Sequence, residues 1–246
     1  MLKGEDIGID LGTASVLIYV RGKGIVLKEP SVIAVVQGKR EVKAVGAEAY
    51  RMLGRTPGNI VAVRPLKDGV IADYALTEKM LLLFLQKVLS PMSRLFKGRV
   101  RIMVGVPSGV TDVERRAVVQ AVSTLAHKVY LIEEPLAAAI GAGINVAEPT
   151  GSMVVDIGGG STEIVLGERD EAIVARSLKL GAIRLTDRFF PDDAVKARTV
   201  TRARRHIQGL LAPMQREIDR FDVAVASSGT AQSVAAMALA ARGIDP

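Results

Sequence analysis

Two stretches of this chain carry an aspartate, an apolar residue and a glycine in a turn between β-branched runs. They are IGIDLGTASVLIYV at Ile7–Val20 and MVVDIGGGSTEIVL at Met153–Leu166. A tight turn exposes backbone N–H groups, and glycine lets them approach an anion closely because no Cβ intervenes. The hydroxyls of Thr13, Ser161 and Thr162 add donors for phosphate oxygens. Asp10 and Asp156 stand at strand ends just before the turns. Two carboxylates beside a phosphate chain repel it unless a cation intervenes. Mg²⁺, with oxygen ligands and retained waters, is the natural one. One Asp-x-Gly turn is ordinary turn chemistry. Two copies with matching flanking strands instead predict a Mg²⁺–polyphosphate site in a cleft between two half-domains.

The second stretch differs from a Rossmann or P-loop glycine run, which leads into a helix. Here Gly158-Gly159-Gly160 leads into Thr162–Leu166, which reads as a strand. Hydrolysis of a phosphate chain needs an aligned water that loses a proton. Glu133 and Glu134 stand at a strand end just before a helix and are candidates. They equally suit a helix start, where carboxylates meet the positive end of the dipole. Spacing alone does not choose between them. His127 and His206 have no metal-ligand partners at suitable spacing.

Elements follow from periodicity. Strands are expected at 7–10, 16–20, 24–27, 31–36, 41–45, 100–106, 129–132, 153–156, 162–166, 173–178 and 222–226. Helices are expected at 77–89, from Thr111 onward, at 136–142, 182–189, 195–221 with a break near Pro213, and 232–241. Thr111 and Glu114 have the spacing of a capping box. Val113, Ala117, Val118, Ala121, Val122 and Leu125 then recur with helical period. Glu148-Pro149-Thr150-Gly151 punctuates the chain between the two repeats. The division expected is 1–149, with a small outer subdomain, and 150–246, shortened at its end.

The 246 residues are 49% hydrophobic but only 4% aromatic, so the core must come from Val, Ala, Leu and Ile. That composition suits an α/β architecture. No cysteine is present, which excludes disulfides, thiolate metal sites and cysteine nucleophiles. No signal-like segment follows Met1, and a soluble cytoplasmic protein is expected. The net charge of +7 favours polyanionic partners. Arg184, Arg188, Lys196, Arg198, Arg202, Arg204 and Arg205 concentrate part of it, either as a solvated helix face or as a track for a polyanion. Charge alone is a weak case for nucleic acid, and there is little aromatic surface for stacking, so no specific nucleic acid is expected.

Residues 6–167 closely resemble the MreB-type bacterial actins. The resemblance rests on DIGIDLGTASVLIYVRGKGIVLKEPSVIAV, GRTPGNIVAVRPLKDGVIADY, VGVPSGVTDVERRA, VYLIEEPLAAAIGAGINV and EPTGSMVVDIGGGSTE. It implies an actin-like (ribonuclease H-like) duplicated fold with ATP and Mg²⁺ in an interdomain cleft. By the same resemblance, Asp10, Gly12 and Thr13 form one phosphate loop. Asp156, Gly158, Gly159, Gly160 and Ser161 form the other. Glu134 orients the attacking water, and Ser161 holds the family's threonine position, which makes Glu134, Asp156 and Ser161 the catalytic candidates. Filament formation and a role in the cell-shape cytoskeleton are implied too. SPMSRLFKGRV places Leu95 and Phe96 between cations, similar to the family's membrane-inserting loop and suited to the surface of an anionic membrane.

From about Thr150 the chain also resembles the Ppx/GppA exopolyphosphatases, on SLKLGAIRLTDRFFPDD and DVAVASSGTAQSVAAMA. Ser228, Gly229 and Thr230 stand where actins carry the glycine-rich adenosine loop. This second resemblance implies a polyphosphate or guanosine pentaphosphate substrate. Together the two imply a chimera or a truncated chain. A third expectation is a non-catalytic scaffold on the membrane.

Overall fold

The structure, a computed structural model, describes residues 5–39, 41–54, 58–67, 70–89, 100–108, 110–146, 151–168, 171–192, 194–218, 220–242 and 244. Leu95 and Phe96 lie outside the described residues, as does the expected boundary at 148–150. Two compact units are distinguished. One comprises residues 1–106 with 110–132, the other 107–109 with 133–246.

The first unit is built on β1 (Glu5–Leu11), β2 (Ser15–Val20) and β3 (Gly24–Pro30), followed by β4 (Ile33–Val36) and β5 (Val42–Val45). After α1 (Ala47–Tyr50) come β6 (Ile60–Val63), β7 (Leu66–Lys67), β8 (Val70–Ile71), α2 (Tyr74–Val88), β9 (Val100–Val106), α3 (Asp112–Ser123) and β10 (Lys128–Glu133). Its main sheet has the order β10-β9-β1-β2-β3, and β4 carries β5 and β6 in a second sheet. Strand alternation decides the core. Ile7, Ile9 and Leu11, Val16, Ile18 and Val20, and Val100, Ile102, Val104 and Val106 are all buried. Against them pack Leu76, Met80, Leu81, Phe84 and Leu85 of α2 and Val118, Ala121 and Val122 of α3. Removing one such large apolar side chain from water stabilises by roughly 1.5–3 kcal/mol. The Thr111–Glu114 capping box starts α3 as expected.

The second unit holds α4 (Glu134–Gly141), β11 (Ser152–Ile157), β12 (Thr162–Glu168), β13 (Glu171–Leu178), α5 (Ala182–Phe189), α6 (Ala197–Leu211), α7 (Met214–Glu217), β14 (Val223–Ser227) and α8 (Ser228–Ala240). Its sheet runs β13-β12-β11-β14. β13, β12 and β11 are antiparallel neighbours, and β14 joins β11 in parallel. β3, β2, β1 and β9 have the same arrangement. The sequence repeat is thus a repeat of sheet topology. The second core is smaller, centred on Ile164, Leu166, Val174 and Met214. No residue of α5 or α8 is buried.

Several boundaries differ from expectation. α2 starts at Tyr74, three residues early, because Asp73 accepts from the Leu76 N–H and caps the helix there. α8 starts at Ser228, not Gln232, and Ser228 has φ of 77°, a left-handed turn straight out of the strand. The break expected near Pro213 in the 195–221 stretch is present, separating two helices where Pro213 leaves no N–H for the ladder, but helix starts only at Ala197 and ends at Glu217. α1, β6, β7 and β8 carry no periodic signal long enough to read. Among the described residues, no helix is long and apolar enough to cross a membrane.

Candidate functional site

The first glycine turn joins β1 to β2. Asp10 is exposed at the end of β1 and pairs in register with Leu17. Gly12 lies so close to its own turn that a Cβ there would meet the Ser15 carbonyl oxygen at 2.8 Å. The turn is braced from behind by Ser31. That fully buried hydroxyl donates to the Gly12 carbonyl at 2.6 Å, and its backbone N–H donates to the Ala14 carbonyl at 3.0 Å. Two carbonyls of the turn are therefore held on the protein side. Sequence reading missed Ser31, and only its polarity ahead of a buried strand hinted at it.

The second turn is built into a helix start. The Gly158 N–H donates to the Ser161 carbonyl at 2.9 Å and closes the turn. The first N–H groups of α5 then take the loop carbonyls: Ala182 donates to Gly158 at 3.1 Å, and Ile183 to Gly159 at 2.9 Å. The Arg184 side chain donates through Nε to the Gly160 carbonyl at 2.9 Å. These bonds satisfy helix N–H groups that have no partner within the helix. They also turn the glycine carbonyls away from any ligand. Among the described residues, no backbone acceptor takes the N–H groups of Gly159, Gly160 or Ser161. Such close approach requires Gly181, where a Cβ would come within 2.6 Å of the Gly160 carbonyl carbon.

Around this turn the sheet places a polar row. Ser227, Asp156, Glu163 and Ser177 occupy matching register on β14, β11, β12 and β13. Cross-strand partners share a face. Burial raises the Asp156 carboxyl above its ordinary value, and the Ser227 and Ser228 hydroxyls partly offset this. Burial also raises Glu163, helped by the nearby Asp156 charge and opposed by hydrogen bonds from Ser161 and Ser177. Glu163 is 1% exposed, a carboxylate inside a strand, and sequence reading passed over it. It lies on the face opposite Ile164 and Leu166, so the alternation of β12 gave no sign of its burial.

The remaining candidates sort as follows. Thr162 was expected to donate to phosphate. Instead it is buried, and its hydroxyl donates to the Leu180 carbonyl at 2.7 Å, bracing the segment that leads into α5. Glu133 ends β10 and accepts from the Ser108 hydroxyl at 3.0 Å. Glu134 opens α4, which packs on β11 and β12 of the same unit. Ser228, Gly229 and Thr230 form the first turn of α8, beside Asp156 through Ser228. The structure thus groups Asp156, Gly158–Ser161 and Ser228 around one strand end. Asp10, Gly12 and Thr13 form a separate group in the other unit.

Among the described residues, no three acidic or histidine side chains form a metal cage. Asp156 is a half-buried carboxylate beside a second one, a donor set that a cation would relieve. It suits Mg²⁺ held through waters and ligand oxygens rather than by the protein alone.

The sequence model of the MreB/Mbl protein family matches residues 4–190. The chain belongs to the MreB/Mbl family. The cell shape-determining protein MreB of Escherichia coli strain K12 is 47% identical over 230 residues, covering 92% of this chain and 63% of that protein. The cell shape-determining protein Mbl of Bacillus subtilis strain 168 is 53% identical over 177 residues, covering 72% of this chain and 52% of that protein. The chain therefore spans between about half and two thirds of the length of these curated relatives. MreB likeness extends into the second unit, since the Escherichia coli match takes in nearly the whole chain.

Among solved structures, MreB5 of Spiroplasma citri bound to ADP superposes with a TM-score of 0.68 at 37% identity, over 76% of this chain and 55% of that one. The same protein bound to AMPPNP gives 0.69 at 36% identity, over 77% and 56%. The MamK double helical filament gives 0.62 at 17% identity, over 81% and 63%, which speaks to the fold alone. The α/β fold is actin-like.

Proposed function

We propose that this MreB/Mbl-family chain binds ATP with Mg²⁺ and hydrolyses it, as part of a cell-shape cytoskeleton in the cytoplasm. The observation that carries this reading is the second glycine turn. Its carbonyls are tied into α5, no backbone acceptor among the described residues takes the N–H groups of Gly159, Gly160 or Ser161, and half-buried Asp156 stands at the adjoining strand end. Backbone N–H groups attract a phosphate, and the repulsion from the adjoining carboxylate is offset once a cation sits between. The relative bound to ADP and to AMPPNP supports adenine nucleotide as the ligand.

In this reading the N–H groups of Gly159, Gly160 and Ser161 in the second turn bind phosphate oxygens. Gly12 and Thr13 do the same in the first. Asp10 and Asp156 hold Mg²⁺ through water, and the ion neutralises charge on the phosphates. Glu134 aligns the attacking water. Ser228, Gly229 and Thr230 lie toward the nucleoside, with the N-terminal end of α8 offering further N–H groups. Self-association into filaments is proposed from the chain's place in the MreB/Mbl family. Leu95 and Phe96 remain a membrane-contact proposal. Liposome pelleting of wild type against Leu95→Ser/Phe96→Ser decides it, and equal pelleting rejects it.

A second reading has its own support. Arg188, Arg198, Arg202, Arg204 and Arg205 are exposed on α5 and α6, a positive track that suits long polyphosphate. A panel of ATP, GTP and long-chain polyphosphate with Mg²⁺, read by binding heat and phosphate release, separates the two. ATP turnover lost in Asp156→Ala supports the first. Release from polyphosphate alone, with no heat from ATP, overturns it in favour of the second.

A further inference from the structure

α6 keeps features that weaken it as a helix and that the fold itself does not use. Arg198, Arg202 and Arg205 fall at i, i+4 and i+7, one file along its exposed face. Like charges at these spacings destabilise a helix. Lys196 and Arg198 stand at its N-terminal end with no acid in the first turn, where cations oppose the dipole. No acid occurs anywhere in α6. Among the described residues, no carboxylate forms an ion pair with Arg198, Arg202, Arg204 or Arg205. Elsewhere in the unit an arginine does find one: Arg176 meets Glu217 at 2.8 Å.

Gly209 continues the same file at i+11 and is exposed. A glycine in an exposed helix interior weakens the helix relative to alanine. The fold does not require it, since a Cβ there would meet nothing within 4 Å. It leaves a bare strip of backbone, which exposed Ala212 lengthens. The opposite face of α6 is already in use. Ala203 is buried, and Leu211 packs against the core of Ile164, Leu166, Val174 and Met214.

The arginine file and the bare strip call for one kind of ligand. Guanidinium groups take carboxylates or phosphates in pairs of hydrogen bonds. The strip favours a closely packed backbone, which neither a polyphosphate nor a lipid surface supplies. No large apolar residue of α6 is exposed, whereas a helix that lies in a membrane surface buries an apolar face there. The spacing of the arginines is the spacing at which a second helix presents one face. We propose that α6 is a docking surface for an acidic helix of a partner protein, whose carboxylates at i, i+4 and i+7 meet Arg198, Arg202 and Arg205 while its backbone packs on Gly209. No described helix of this chain holds more than two acids, so a second copy does not supply that face. The inference stands apart from the ATP reading, and it gives to a protein partner the arginines that the second reading gives to polyphosphate.

The test titrates the full chain into a labelled, alanine-based synthetic helix of about 20 residues with glutamates in a matching file, in salt of about 0.15 M. An isomer with the same glutamates spread round the helix, long-chain polyphosphate and phosphatidylglycerol vesicles are the comparison arms. Fluorescence anisotropy is expected to show saturable binding of the matched helix, about tenfold tighter than the isomer. Arg198→Gln/Arg202→Gln/Arg205→Gln is expected to weaken it by about tenfold or more. Gly209→Leu, which leaves every charge in place, is expected to weaken it by about tenfold through a clash. The triple variant should melt no lower than wild type, because it relieves repulsion within α6. No saturable binding of the matched helix overturns the proposal. So do equal affinity for the isomer, unchanged affinity in either variant, or a triple variant that melts below wild type. Tighter binding of polyphosphate or of vesicles than of the matched helix overturns it in favour of a general polyanion surface.

Discussion

The two glycine turns share a sequence pattern and a sheet position, yet they are held in different ways. The first depends on one side chain, Ser31, whose hydroxyl and N–H fasten the carbonyls of Gly12 and Ala14. The second depends on a helix, whose first N–H groups and Arg184 side chain take the carbonyls of Gly158, Gly159 and Gly160. The surroundings differ as well. Asp10 is exposed and faces Leu17 across its strand pair, whereas Asp156 is half-buried between Glu163 and Ser227. The first unit has a large core, to which two helices each contribute one apolar face; the second has a small one. In the proposed function both turns bind phosphate, and the buried, charge-rich one carries the chemistry while the simpler one grips.

That contrast can be broken most severely at Gly181. Gly181→Val forces side-chain atoms into the Gly159–Gly160 backbone and is expected to destabilise the second unit by roughly 3 kcal/mol, as overpacking does. Hydrogen exchange should accelerate in β11 and β12 while β1 and β9 keep their protection. Equal acceleration in both units would show that the second turn is not supported separately.

Ser31→Ala is the matching cut in the first turn. It leaves the Gly12 carbonyl without its donor, at a cost of about 1–2 kcal/mol for a buried unsatisfied acceptor. Denaturant unfolding checks the stability, and ATP affinity is expected to fall a few-fold. Unchanged affinity would mean that the first turn needs no brace.

Acidity offers a gentler comparison. Burial raises Asp156 and Glu163 in the fold. Their contribution to stability is therefore full below the ordinary carboxylate values and is lost as pH rises through the raised ones. Asp6 is the opposite case. The Arg101 guanidinium, paired with it at 2.7 Å across β1 and β9, lowers its carboxyl despite some burial. Its contribution is present above the ordinary value and is lost as pH falls through the lowered one. Hydrogen exchange against pH should therefore show β11 losing protection, and β1 gaining it, as pH rises through these windows. Glu163→Gln should flatten the β11 response. The smallest effect is expected for Asp6→Asn, since the pair is solvent-exposed and exposed pairs contribute little. A melting temperature that hardly moves, and moves even less in high salt, would agree.

Much of the site was legible because hairpins alternate with period two, so the duplicated Asp-x-Gly turns could be aligned by eye. The α3 capping box and the break at Pro213 were legible for the same local reason. What escaped was set at long range. α1 is one turn long, and its Ala47 N–H is capped by the Glu29 carboxylate at 2.7 Å from a distant strand. β6 exists because β4 pairs with it. Ser31 and Glu163 gain their importance from burial and register, which no single segment encodes. Thr162 was misassigned because a hydroxyl beside a glycine turn looks available until its acceptor, Leu180, is located.

Calorimetric titration of Mg²⁺-ATP into wild type and Asp156→Ala tests the central claim most directly. Saturable one-site heat in wild type, lost or greatly weakened in Asp156→Ala, is the result that the phosphate reading of the second turn predicts. No binding heat in wild type, or the same affinity in both proteins, would contradict it.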